Sequence, residues 1–165
     1  MENMICCIKD SLSNLSLEGK DRIIVGNFGA DDFLADMQIE RKYNKKNDEL
    51  DLFRREFAIK CTAHKMISLD TPYCDYNDSE GLKDEIEYLK GIGIKAKCAI
   101  HPSQVDIINK AFRPTEQQIM VAKEIISKFE KAMKDGKTII THEGRMYGPP
   151  AYKRMMHVLY KADLA

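Results

Sequence analysis

The chain has no charge imbalance: 26 Lys and Arg stand against 26 Asp and Glu over 165 residues. A polyanion binder shows a basic excess, so this balance argues against nucleic acid as a partner. Nor is there an apolar run approaching the ~20 residues that cross a bilayer, which argues against an integral membrane protein. Residues 1–13 lack the basic, then apolar, then small-residue order of a secretory signal. The five cysteines, Cys6, Cys7, Cys61, Cys74 and Cys98, form no C-x-x-C pair and no zinc-like spacing. Their odd number and scatter read as reduced thiols in a cytoplasmic compartment. Repeats and low-complexity linkers are absent too. What is present, 44% hydrophobic and 32% charged residues, describes a soluble globular protein long enough for one ordinary domain with a core.

The middle of the chain alternates two periodicities. A short apolar run at 4–8 is a candidate strand, followed by a polar stretch at 9–20 that reads as a short helix or loop. A strand is expected over 22–28, and a basic solvated loop over 41–47. Leu50, Phe53, Phe57 and Cys61 recur at helical spacing and predict a helix over 48–65. Residues 66–69 form the next expected strand, ending at Asp70. Asp78 or Ser79 should cap a helix over 80–90, which Gly91 and Gly93 stop. A third strand is expected over 97–100. Ser103 with Asp106 has the pattern of a capping box opening a helix to about 111. The longest helix is expected over 116–134, with Ile119, Ala122, Ile126, Phe129 and Met133 buried. An extended piece at 138–141 and a helix over 151–161, started by Pro149-Pro150, complete the chain.

Strand, helix, strand, helix, strand, helix means α/β, with a parallel sheet and right-handed crossovers. In such folds chemistry sits at the C-terminal strand ends. Those ends here are residues 29–32, 70–75 and 101–104, and all three carry polar side chains. The first follows Ile23-Ile24-Val25 and reads GNFGADDFLAD. Gly29 permits a tight turn, the amides of Ala30, Asp31 and Asp32 suit an anion, and the adjacent carboxylates suit a hard cation such as Mg²⁺. The plain alternative is a solvated turn with Asp as helix N-cap.

Three motifs occur in order: GADDFLAD, then DTPYCDYNDSEGL before a helix, then KAKCAIHPSQVDIIN with FRPTEQQ. Together they resemble the C-terminal part of the citrate lyase β-subunit family, within the HpcH/HpaI aldolase and malyl-CoA lyase superfamily. The resemblance runs from about Arg22 to Leu159. It implies a partial (β/α)₈ (TIM) barrel, the last three or four βα units over 1–113, plus C-terminal helices over 114–165. It implies a Mg²⁺-dependent lyase that makes or breaks a C–C bond in 3-hydroxyacyl thioesters of citryl or malyl type. On it, Asp32 matches the metal-binding aspartate, and the amides around Gly29, Ala30 and Asp31 match those that hold the substrate carboxylate. His101, Pro102, Ser103 and Gln104 match the rim where the CoA-like carrier lies. An acyl-CoA or acyl-carrier thioester is the implied ligand, and a homo-oligomer or partner subunit the implied assembly.

The departures from the family matter as much. A full barrel takes about 250 residues. The family's early strands, with their substrate-binding arginine, have no counterpart here. Lys9 stands where the second metal ligand, a glutamate, falls, and Gly148 in GRMYGPP where many relatives carry an aspartate that reaches a neighbouring subunit. The alternative to a lyase is therefore a non-catalytic half-barrel that binds a full-length relative or a thioester. The remaining candidates have plain readings. Asp31 is a helix-end charge, His101 a hydrogen-bonded structural histidine, and Asp70 and Asp75 turn-formers that could face the pocket. Nothing marks Cys74 as a nucleophile. His64, His142 and His157 read as surface or packing residues, while Arg145 and Tyr147 lie where a terminal segment could touch a partner.

Overall fold

The computed structural model describes residues 24–42 and 48–163; the expected strand at 4–8, the segment at 9–20 and Lys9 lie outside them. The chain forms two compact units, one ending at Phe112 and the other beginning at Arg113.

The first unit holds three parallel strands in the order β1 (Val25–Asn27), β2 (Ile67–Asp70) and β3 (Ala96–Lys97). Val25 pairs with Ile67, Asn27 with Leu69, Leu69 with Ala96 and Asp70 with Lys97. The helices are α1 (Ala30–Asp36), α2 (Asp48–Ala63), α3 (Ser79–Gly91) and α4 (Pro102–Phe112). Strand side chains alternate, so Gly26, Ser68, Asp70 and Lys97 share the face that the helices cover. A Cβ on Gly26 would lie 3.1 Å from both Cys61 Sγ and Met66 Cε. Only a bare backbone lets β1 and α2 approach so closely. The opposite face is open, with Val25 40% and Ile67 46% exposed.

The core under the sheet is Phe28, Phe33, Leu34, Leu50, Phe57, Cys61 and Leu89, with Phe53 edge-on to Phe33 at 4.4 Å between ring centres. Burial pushes the Cys61 thiol up to about 11, so it is an inert packing group. A second cluster joins Tyr73, Leu82, Ile86 and Ile108 between α3 and α4. Asp78 is the N-cap of α3: Oδ1 accepts from Gly81 N at 2.9 Å, and Oδ2 accepts from the Tyr73 hydroxyl at 2.8 Å. These contacts hold the Asp78 carboxyl below its ordinary range, the Gly81 amide contributing most and Tyr73 next.

Strand β3 is two residues long, not the four expected over 97–100. Cys98 N still donates to Asp70 O at 3.0 Å, but Ile100 N is taken by the Gln104 side chain, and Ile100 is 56% exposed. Helix α4 starts at Pro102, so Ser103 lies inside its first turn and the expected Ser103–Asp106 capping box does not form. The cap is His101, whose Nδ1 accepts from Ser103 N at 3.3 Å.

In the second unit Thr115 opens α5 (Glu116–Lys134) with a complete capping box to Gln118. Its buried stripe is Ala122, Ile125, Ile126 and Phe129; Met133, expected inside, is 55% exposed. The extended piece expected at 138–141 is half of a hairpin, β4 (Ile140–His142) against β5 (Arg145–Tyr147). Its two-residue turn puts Glu143 at φ 48° and Gly144 at φ 74°, the twist that antiparallel strands favour. Helix α6 (Pro149–Asp163) follows, and Tyr152 stacks on Phe129 at 5.0 Å. No described helix is long and apolar enough to cross a membrane.

Candidate active site at the strand ends

Gly29 is the N-cap of α1 at φ −87° and ψ 79°. That conformation is open to any residue, so the turn does not use the left-handed freedom of glycine. The plain reading of Asp as N-cap also gives way. Asp31 and Asp32 both sit in the first helical turn, where the helix dipole favours negative charge.

The two carboxylates are treated differently. Arg41 Nη1 reaches Asp31 Oδ1 at 3.2 Å and Oδ2 at 3.3 Å, and Cys74 Sγ lies 3.7 Å from Oδ2. Asp32 is exposed and makes no hydrogen bond or ion pair with the described residues. Asp31 is fixed and Asp32 is free.

Beneath them lies a buried ionic cluster. Arg54 from α2 grips Asp70 at the end of β2 through Nε and Nη2, each 2.9 Å from its oxygen. Lys97 of β3 donates to Asp70 Oδ2 at 3.0 Å, to Thr71 O at 2.9 Å and to Glu85 of α3. Glu85 Oε1 also faces Arg54 Nη2 at 3.3 Å and Arg41 Nη2 at 3.6 Å. Burial pushes the Glu85 carboxyl up, but Lys97, Arg54 and Arg41 outweigh it and hold it below its ordinary range. Three cations thus meet two buried carboxylates, and Arg41 carries the surplus to Asp31 at the rim. Asp70 is neither a turn-former nor a pocket residue; it is wholly buried in this cluster.

At the β3 end, His101 stacks on Tyr76 with centres 4.7 Å apart, and its Nδ1 lies 2.8 Å from Ser103 Oγ. His101 and Pro102 are exposed, whereas Gln104 is turned inward. Its amide donates to Tyr73 O at 2.7 Å and accepts from Ile100 N at 3.0 Å, stitching the loops after β2 and β3 together. Burial pushes the Cys98 thiol up. Among the described residues no three His, Cys, Asp or Glu side chains gather closely enough to hold a metal. Asp32 therefore offers one carboxylate of a cation half-site whose other ligands would be water or groups from elsewhere.

Arg41, expected in a basic solvated loop, is instead buried by its pairing with Asp31 and Glu85, and the roles of Arg54, Glu85 and Lys97 were not foreseen from the sequence. A signal existed for two of them. Arg54 follows Leu50 by four residues and Glu85 follows Leu82 by three, so both stand at core-facing positions of their helices.

Parallel strands covered by helices on one face, with their polar groups at the C-terminal ends, define an α/β protein of barrel type, part of whose barrel the described residues supply. A family model for C–C bond lyases of the TIM-barrel fold matches residues 7–154, and the chain belongs to that family. The citrate lyase subunit beta of Leuconostoc mesenteroides subsp. cremoris is 29% identical over 87% of this chain and 47% of its own. The mitochondrial citramalyl-CoA lyase of Rattus norvegicus is 28% identical over 80% of this chain and 38% of its own. The chain thus spans about half, or less, of the length of these relatives. The CitE protein of Mycobacterium tuberculosis, solved with magnesium, acetoacetate and coenzyme A, superposes with a TM-score of 0.71 at 24% identity. That match covers 83% of this chain and 51% of the other, and it concerns the fold.

Proposed function

We propose that the chain is one side of a C–C lyase site for a 3-hydroxyacyl thioester of citryl or malyl type. Asp32 is the residue that would hold Mg²⁺, and the amides of Ala30, Asp31 and Asp32 are placed to receive the substrate carboxylate. His101 and Pro102 would meet a CoA or acyl-carrier group, on a loop that Gln104 fastens from inside. Held by Asp32, Mg²⁺ would supply positive charge that lowers the cost of the enolate released on cleavage. The reading is carried by one observation: of the two adjacent aspartates, Arg41 ties down Asp31 and leaves Asp32 free. Fixing Asp31 also fixes the turn whose amides would meet the substrate. The groups that complete the site come from a partner subunit of different sequence. The open sheet face supports such an assembly.

Isothermal titration of Mg²⁺ tests the reading. Weak binding is expected in the native chain and none in Asp32→Ala. Equal binding by both would remove Asp32 from the site.

A further inference from the structure

His142 of β4 is only 6% exposed, and both of its ring nitrogens face charged groups of α5. Nδ1 lies 2.8 Å from Lys128 Nζ, and Nε2 lies 3.8 Å from Glu124 Oε2. Tyr147 stands edge-on to the imidazole, their ring centres 6.1 Å apart. Lys128 and Glu124 stand one turn apart and are open to solvent. An ammonium only donates, so Nδ1 is the acceptor in the contact with Lys128, and Nε2 is the nitrogen that faces Glu124. Amine, imidazole and carboxylate therefore stand in the order of a nucleophile, its base and the group that orients the base.

We propose that Lys128 is an acyl acceptor, taking an acyl group from a small acyl thioester with His142 as its base. His142 Nδ1 first takes a proton from the Lys128 ammonium and releases it to solvent, and the freed amine lone pair then attacks the thioester carbonyl carbon and forms a C–N bond. The attacking nitrogen becomes strongly acidic in the tetrahedral adduct and gives its proton to His142 Nδ1. The C–S bond then breaks, and the proton leaves with the thiolate as free thiol. The products are an amide on Lys128 and a thiol, and no oxidant or reductant is involved. Glu124 faces the imidazolium formed on the way. Thioesters are the ligand class already proposed for the strand ends, but this reaction needs neither Mg²⁺ nor C–C cleavage, so the two readings fail independently.

Lys123 and Lys131, exposed on the same helix and without an imidazole partner, are internal controls. The full chain is incubated with acetyl-CoA, and the occupancy of each lysine is followed by peptide mass spectrometry. Lys128 is expected to acetylate about tenfold faster than the controls, a modest share of the ~10²–10⁴ that enzymatic general bases contribute. His142→Gln, which still accepts a hydrogen bond but cannot take the proton, should remove that excess. Glu124→Gln, at a half-exposed position, should reduce it several-fold and decides the matter if His142→Gln fails to fold by circular dichroism. Labelling of Lys128 no faster than Lys123 and Lys131, or an excess that survives the substitutions, would overturn the proposal.

Discussion

Arg54 and Asp70 form a two-point ion pair with both side chains fully buried, each contact 2.9 Å long. The pair joins the middle of α2 to the end of β2, and Lys97 extends it to β3. Two charges removed from water hold together only while they remain matched. Asp70→Asn leaves Arg54 and Lys97 to share the single carboxylate of Glu85, and Arg54→Met leaves Asp70 with Lys97 alone. Each is expected to lower the unfolding free energy by about 3–5 kcal/mol, the usual cost of breaking a buried pair. Urea denaturation followed by circular dichroism measures it. A loss below about 1 kcal/mol would mean that water enters the cluster.

Acid should act through the same cluster. The folded Glu85 carboxyl is held below its ordinary value of 4.5, so the unfolded chain binds its proton first as the pH falls. The stabilisation is complete above about 4.5 and is lost as the pH drops through the lower folded value. Asp51 is also depressed, by Arg55 first and then Tyr88, and Asp78 as well, both with the same sign. The urea midpoint is expected to hold steady from about pH 7 to 5 and to fall as the pH drops below about 4.5. Glu85→Gln should flatten that fall while lowering the midpoint at neutral pH. A midpoint that rises on acidification would contradict the assignment.

The contrast between Arg54 and its neighbour shows what the sequence could and could not reveal. Arg54 is buried and bidentate on a residue 16 positions away, whereas Arg55 pairs at the surface with Asp51, four residues back. Local spacing makes the second pair legible. The first depends on which strand lies across from α2, and spacing alone does not carry that. The helices expected at 48–65, 80–90 and 116–134 appear as Asp48–Ala63, Ser79–Gly91 and Glu116–Lys134, because apolar periodicity sets the buried stripe and Asp78 and Thr115 set two of the starts. The α/β class also stood in the alternation of elements, whereas the partial barrel came from the resemblance to the citrate lyase β-subunit family. β5 did not, since its turn puts a glutamate at positive φ where asparagine, aspartate or glycine is the usual signal. At the candidate site, the resemblance already set Asp32 as ligand apart from Asp31 as helix-end charge, but the hold on Asp31 was not legible, because Arg41 enters from ten residues away.

The open sheet face makes association the expected state. Val25 and Ile67, paired across β1 and β2, are 40% and 46% exposed, an apolar strip beside strand edges that no other described strand pairs. Such surfaces pair with another chain unless covered. Light scattering coupled to size exclusion should find dimers or larger species, and Ile67→Lys should shift them toward monomer without unfolding the helices. A monodisperse monomer with a cooperative unfolding transition would show that the face is satisfied within one chain.

Cleavage asks more of the strand ends than the described residues offer. It needs a metal held by more than one oxygen ligand, a cation on the far carboxylate of the substrate and an acid–base group. Here Asp32 is free, but Asp31 is held by Arg41, and Asp70 and Glu85 are enclosed with Arg54 and Lys97. The His101 ring is engaged by Ser103 and Tyr76. Each missing preorganised group costs about 10²–10³ in rate, and two or three together remove any measurable turnover. The purified 165-residue chain is therefore expected to show no cleavage of malyl or citryl thioesters above background, while still binding Mg²⁺ weakly through Asp32. A coupled assay for the released thioester or keto acid checks this. Mg²⁺-dependent turnover that disappears in Asp32→Ala would refute it, and would place the completing ligands in the chain itself, within residues 1–23 or 43–47, or in a second copy.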